Sequence, residues 1–306
     1  MIPAASHVLM IEPVQFRFNP ETAASNSFQV QHPPDPADAA RLADLAVAQH
    51  RVFRDLLVTH GVRVTACRSL ETTPDAPFCN NWFSTHPARG NRPPTLALYP
   101  LLAPIRRRER REDLVAWLGP AYPRTIDFSS HEHDARYLES TGSLCIDHEH
   151  GVAYAALSPR TDRELAEEWA RQAGYELIAF TALDGDGLPY YHTNVMMFVG
   201  HGVAAVVLES IVDAVERQRV EAALAQAGHK IVPITRAQAA AYCGNCLALS
   251  TDSGRPVLAM SSTAFGAFST AERTVLESAA QILHADLTAF EQLAGGSARC
   301  LIAELF

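Results

Sequence analysis

The residues best placed for chemistry lie near the carboxyl end, where the chain reads Gly295-Gly296-Ser297-Ala298-Arg299-Cys300. Two glycines open backbone conformations closed to other residues and let a ligand approach the main chain. A cysteine leaving such a turn to enter a strand is placed to act as a nucleophile. Arg299 beside it is a candidate to hold a carboxylate or to steady a thiolate. The same letters also describe a glycine turn followed by a buried structural cysteine. Tyr190-Tyr191-His192-Thr193-Asn194 puts a histidine at the head of an apolar run, after the turn-like Asp184-Gly185-Asp186-Gly187. There it serves as a general base or as a satisfied strand-start residue. Leu138-Glu139-Ser140-Thr141-Gly142 offers a carboxylate that either orients a histidine or ends a strand in water. Phe78-Cys79-Asn80-Asn81-Trp82 sets two amides between aromatics, as a pocket wall or an ordinary turn.

Metal binding is a competing reading. His131-Glu132-His133 and His148-Glu149-His150 each put two imidazoles on one face of an extended chain. Cys243-Gly244-Asn245-Cys246 has the two-residue gap of zinc sites and redox dithiols. No second cysteine pair accompanies it, and the histidine pairs lie in very polar stretches, so the sequence predicts no metal and no cofactor.

Alternating elements must position these residues. His7–Val14 reads as a strand, Pro36–His60 as a helix and Val62–Cys67 as a second strand. The alternation recurs in the helices Arg163–Ala173, Asp213–Ala227 and Thr270–Leu283, and in the strands Leu177–Ala182, Ile231–Ile234 and Ala298–Phe306. Hairpins fill the gaps: Ser143–Leu157 around Asp147–Gly151, Val195–Leu208 around Gly200–Gly202, and Cys246–Met260 around Asp252–Gly254. Strand and helix alternate to the end without a linker, which argues for an α/β fold of repeated units in one domain. No fixed-period repeat is visible in the letters.

With 48% hydrophobic and 19% charged residues, the 306-residue chain can bury a large core. A net charge of −9 argues against nucleic acid as a partner. The one basic cluster, Arg106 to Arg111, is interleaved with Glu109 and followed by Glu112 and Asp113, and reads as a solvated helix start. No run is long and apolar enough to span a membrane, and the first residues lack the form of an export signal. The expected compartment is the cytoplasm, with the six cysteines as thiols.

Taken together and in this order, the four chemical stretches resemble the pentein superfamily of guanidine-modifying enzymes, which includes arginine deiminases, agmatine deiminases, dimethylarginine hydrolases and amidinotransferases. Within it they are most similar to the amidinotransferase-like or citrulline-utilisation hydrolase branch. The likeness runs from Glu12–Gln29 through Asn80–Ser84, Leu138–Ser143, Ser158–Asp162 and His192–Met197 to Gly295–Phe306, almost the whole chain. It implies a five-bladed, pseudo-symmetric α/β propeller of ββαβ units, a single catalytic domain over residues 1–306, and a small-molecule substrate. A homodimer is left open. By the same resemblance Cys300 is the nucleophile, His192 the general acid/base and Glu139 its supporting carboxylate.

The resemblance also places Asn81 and Asn194 where deiminases carry aspartates that grip a guanidinium. A guanidinium is a fixed cation with five donors and no acceptor, so it wants carboxylates. A ureido group is neutral and offers a carbonyl acceptor, which amides complement. The expected substrate is therefore ureido, with citrulline hydrolysed to ornithine, ammonia and carbon dioxide. Action on a guanidino compound, as in arginine deiminases, dimethylarginine hydrolases or amidinotransferases, is the alternative. A non-catalytic binding protein of the same fold is disfavoured, because all three catalytic positions are filled. Arg17, Arg160 and Arg299 are candidates for a substrate carboxylate, and Asn80 joins Asn81 at the pocket. A cationic His192 is expected to lower the Cys300 thiol pKa before attack.

Overall fold

The computed structural model describes residues 4–306 and contains five small sheets of three strands. The chain opens with β1 (His7–Glu12), crosses over through the helix Pro36–Thr59 and returns in β2 (Arg63–Arg68), parallel to β1. Three complete units follow: β3 (Phe83–His86), β4 (Thr95–Leu98) and β5 (Arg124–Asp127); β6 (Cys145–Asp147), β7 (Val152–Ala156) and β8 (Glu176–Phe180); β9 (Met197–Gly200), β10 (Val203–Val206) and β11 (Lys230–Pro233). The fifth sheet holds β12 (Leu247–Ser250), β13 (Pro256–Ser261) and β14 (Gln281–Ala285). In each, the first two strands form an antiparallel hairpin, and a helix carries the chain to a parallel third strand. The last strand, β15 (Ala303–Leu305), pairs antiparallel with β1 and so supplies the missing first strand of the first unit. The result is the five-unit α/β propeller that the resemblance implies.

Local chemistry explains the repetition. Four crossover helices start at a side chain that accepts backbone N–H groups: Asp35, Asp162, Asp213 and Ser269, the last in a capping box with Glu272. Each such cap is worth about 1 kcal/mol. The helix Arg163–Ala173 buries Leu165, Ala166, Trp169, Ala170 and Ala173 as one stripe against the third sheet. The middle strands β4, β7 and β10 are buried on both faces, and β7 and β10 are rich in alanine.

Two boundaries differ most from the sequence reading. The helix expected to run to Leu283 stops at Ala279, because Ile282 and Leu283 are taken up in β14 beside β13. The expected strand Ala298–Phe306 begins instead as a tight turn, Ala298–Leu301, in which Cys300 N donates to Ser297 O at 3.0 Å. Among the described residues no helix is long and apolar enough to cross a membrane.

Candidate active site

The site residues share one topological position. Short helical turns Cys79–Asn81, Ser140–Ser143, Thr193–Val195 and Ala298–Leu301 precede β3, β6, β9 and β15, and Asn245 stands just before β12. Neighbouring leading ends are stapled together. Ser140 Oγ donates to Phe83 O at 2.8 Å, and Arg299 N donates to Asn245 Oδ1 at 3.0 Å. Asn81, Glu139, His192, Asn194, Asn245 and Cys300 thereby converge from five units; apart from His192 and Asn194, which share one turn, they are far apart in sequence.

His192 and Glu139 form a pair at 2.8 Å between Nε2 and Oε2. A carboxylate only accepts, so Nε2 carries the hydrogen and Nδ1 keeps its lone pair. Gly142 makes room for this edge of the ring: a Cβ there would meet Asn81 Nδ2 at 2.5 Å and His192 Nδ1 at 2.7 Å. Burial pulls the His192 pKa down to about 4, outweighing the upward pull of Glu139. Burial works against ionising Glu139 too, but Arg160, His192 and Arg106 outweigh it and hold the carboxyl well below its usual range. Arg160 Nη1 lies 3.3 Å and Arg106 Nη1 3.9 Å from Glu139 Oε2.

Cys300 is buried, and burial raises its pKa despite a counter-pull from Ser297 N–H and Asn245. Asn245 Nδ2 is 3.2 Å and Asn194 Nδ2 3.9 Å from the sulfur. Asn245 is held in this orientation because its Oδ1 accepts from Arg299 N. Burial thus favours a protonated thiol and a neutral imidazole, against the cationic His192 expected from the sequence.

Cys300 and His192 open on one cavity of about 290 Å³ together with Thr22, Asn26, Asp75, Phe78, Asn81, Arg106, Arg160, Tyr191, Ala294 and Gly296. Arg106 is a further correction. It is not solvated but 2% exposed, bound to Glu109 at 2.9 Å and donating to Asn81 Oδ1 at 2.8 Å. Because arginine only donates, that bond fixes the Asn81 amide with its N–H side away from Arg106, and this buried Nδ2 has no partner. Asp75, also absent from the sequence reading, accepts from Asn19 Nδ2 at 2.6 Å and keeps an unpartnered Oδ1. The segment around residues 19–29 roofs the cavity, where Asn26 reaches Ala294 O at 3.0 Å and Arg160 grips Ser25 Oγ at 2.8 Å.

Four residues expected to meet the substrate do not line this cavity. Arg299 turns its guanidinium to Ile302 O and Glu304 and does not line this cavity, so it does not meet a substrate carboxylate. Arg17 is spent on the Gln15 and Glu71 carbonyls at the surface. Asn80 is buried against Thr141, outside the cavity lining. Asn194 is outside it too, its Nδ2 donating to Thr141 O at 3.1 Å and standing 3.9 Å from Cys300 Sγ. Only the arginine spacing, with Glu109 three residues after Arg106, hinted at the buried ion pair.

Known structures share this architecture at low sequence identity. Full-length apo ArgZ, an arginine dihydrolase from the ornithine–ammonia cycle in cyanobacteria, superposes with a TM-score of 0.74 at 16% identity over 97% of this chain and 40% of its own. A mutant of AgrE in complex with L-arginine gives 0.76 at 19%, over 98% and 40%. A dimethylarginine dimethylaminohydrolase adduct with S-methyl-L-thiocitrulline gives 0.66 at 15%, over 98% and 100%. The present chain thus spans about 40% of the full ArgZ and AgrE chains. No curated protein matches it significantly in sequence. The profile of the family described as N,N dimethylarginine dimethylhydrolase, eukaryotic, matches residues 12–306, and the chain belongs to that family, within the pentein superfamily.

Proposed function

We propose that residues 1–306 form one catalytic unit, a cysteine hydrolase that cleaves a C–N bond in the ureido or guanidino head of an α-amino acid. A ureido head such as citrulline's is the favoured reading. The observation that carries it is the unpartnered Asn81 Nδ2, held by Arg106 beside His192 in the cavity that Cys300 shares. A buried donor of this kind needs an acceptor. A ureido carbonyl supplies one, and a guanidinium has none.

His192 Nδ1 takes the Cys300 proton as the sulfur attacks the ureido carbon, and Asn81 Nδ2 steadies the oxyanion. The imidazolium, paired with Glu139, returns the proton to the departing nitrogen. Water activated by His192 then hydrolyses the S-carbamoyl adduct. The carbamate product falls apart, so that one ureido amino acid and one water yield the amine, ammonia and carbon dioxide. The same cavity offers groups for a zwitterion: Arg160, over the Tyr191 ring, suits the carboxylate, and the free Asp75 Oδ1 suits the ammonium.

The second reading is a guanidino substrate. The family match and the spare carboxylate of Asp75 favour it, since that carboxylate can serve a guanidinium as well as an ammonium. Incubation with citrulline, arginine and N,N-dimethylarginine, with ornithine, citrulline and ammonia quantified, separates the two. Ornithine and ammonia from citrulline support the first. Citrulline accumulating from a guanidine, and not being consumed, establishes the second. Turnover of none of the three overturns both.

A further inference from the structure

A second cavity, of about 640 Å³, runs along β6 and the turn after it, the end of β9 and the start of β12. Asp147, His148, His201 and His229 line it. Beside it, three side chains bring ligand atoms within 4.8 Å of one another: Asp147, His150 and His229. Asp147 Oδ2 lies 2.6 Å from His229 Nε2 and 2.8 Å from His150 Nδ1. Its other oxygen accepts His150 N at 3.0 Å, which fixes the carboxylate plane. His229 comes from 82 residues away in sequence, from the turn before β11. Its side chain is 1% exposed, and its Nδ1 has no partner.

We infer that Asp147, His150 and His229 form a site for a divalent transition-metal ion that ties the third unit to the fourth. Metal–nitrogen and metal–oxygen bonds of about 2.0–2.2 Å set neighbouring ligand atoms roughly 3.3 Å apart in a tetrahedron. Asp147 Oδ2 therefore needs to part from His150 Nδ1 by about 0.5 Å and from His229 Nε2 by about 0.7 Å. His150 can supply the first shift, because it sits on a turn and its side chain is 35% exposed; the second needs a small rotation of the His229 ring, whose Nδ1 no hydrogen bond holds. Two imidazoles and a carboxylate suit zinc, cobalt or nickel rather than calcium or magnesium. The fourth position is left to water from the cavity. The pairing is not the one that His148-Glu149-His150 suggests in sequence. Between β6 and β7 the chain turns, sending His148 to the Tyr175 hydroxyl at 2.8 Å and only His150 to Asp147.

The test uses the untagged Cys300→Ala chain, so that the active-site thiol cannot compete, stripped with chelator and titrated with Co²⁺ and Zn²⁺. One ion per chain is expected, with cobalt d–d absorption, low-micromolar or tighter affinity and a raised Tm. His150→Ala lies on an exposed turn and leaves folding intact; it is expected to weaken binding about 100-fold, as is Asp147→Asn. Failure to bind one equivalent below millimolar metal, or unchanged affinity in both variants, overturns the site.

Discussion

Two histidine–carboxylate pairs stand at opposite ends of β6: His192 with Glu139, which precedes the strand, and His229 with Asp147, its last residue. Their contact geometry is nearly the same, 2.8 and 2.6 Å. Their neighbours differ. Glu139 also faces two guanidinium groups, from Arg160 and Arg106, whereas among the described residues no arginine pairs with Asp147, which meets a second imidazole instead. Where cations already neutralise the carboxylate, it is committed to holding one ring in one tautomer, and the ring's free nitrogen is left for chemistry. Where no cation is present, the carboxylate and two imidazoles have unspent capacity for an ion. A histidine–carboxylate contact does not define a role; the third and fourth groups around it do.

The sharpest break between the two ends is the nucleophile, since only the leading end carries Cys300 beside its pair. Cys300→Ala is expected to cut kcat by at least about 10⁴-fold while circular dichroism and Tm stay near wild type. Near-full activity in that variant ends the proposed chemistry. Next comes the leading-end carboxylate. Glu139→Gln keeps the shape but frees the imidazole to flip its tautomer and leaves Arg160 without its counter-charge. A loss of roughly 10²–10⁴-fold in kcat, with KM far less affected, is expected from steady-state kinetics. A purely structural Glu139 would instead lower Tm and leave the kcat of the folded fraction intact.

How far each end was legible in the letters follows from the same contrast. Cys300, His192 and Glu139 were readable because their stretches pair a reactive residue with turn residues in a known order. The alternation of strand and helix was readable from periodicity, and the helix Arg163–Ala173 came out with its observed ends. The fivefold repetition was not, because each unit keeps its strand order while its loops and side chains differ freely. Arg106 was hidden for a physical reason. Its surroundings in sequence are five charged neighbours, and only folding shows that Glu109 and Asn81 draw this one guanidinium inward. Asp75 and His229 were invisible because their meaning depends wholly on partners distant in the chain.

The amides at the leading end allow a finer test. Asn81→Asp with Asn194→Asp replaces two neutral groups by carboxylates, one in the cavity wall and one 3.9 Å from the Cys300 sulfur, giving the site the acidic character that a guanidinium wants. The ratio of kcat/KM for arginine over citrulline is expected to rise about 100-fold, measured by competition between the two substrates. An unchanged ratio would mean that the amides do not choose the head group. The role of Asn81 Nδ2 as a carbonyl donor would then have to be given up.

The smallest expected effect concerns protons, and it probes burial at the leading end directly. Burial depresses the pKa of His192 and of His50 to about 4, and that of His86 to about 3. In the unfolded chain these rings titrate near 6.5. Between pH 6.5 and 4 the unfolded state therefore binds protons that the native state refuses, so stability falls as pH drops through this window. Each fully titrating ring contributes roughly 1.4 kcal/mol per pH unit, enough for Tm to fall by roughly 5–10 °C from pH 7 to 5. His50→Gln lies away from both pairs and removes one of the three rings, so the slope should flatten without loss of activity. Catalysis should follow His192 rather than an ordinary histidine: the acidic limb of kcat/KM is expected near pH 4, because the ring accepts the thiol proton only while neutral. A limb near pH 6.5 would place His192 in water, and the enclosed, cation-backed pair that separates this end of the molecule from the other would not exist.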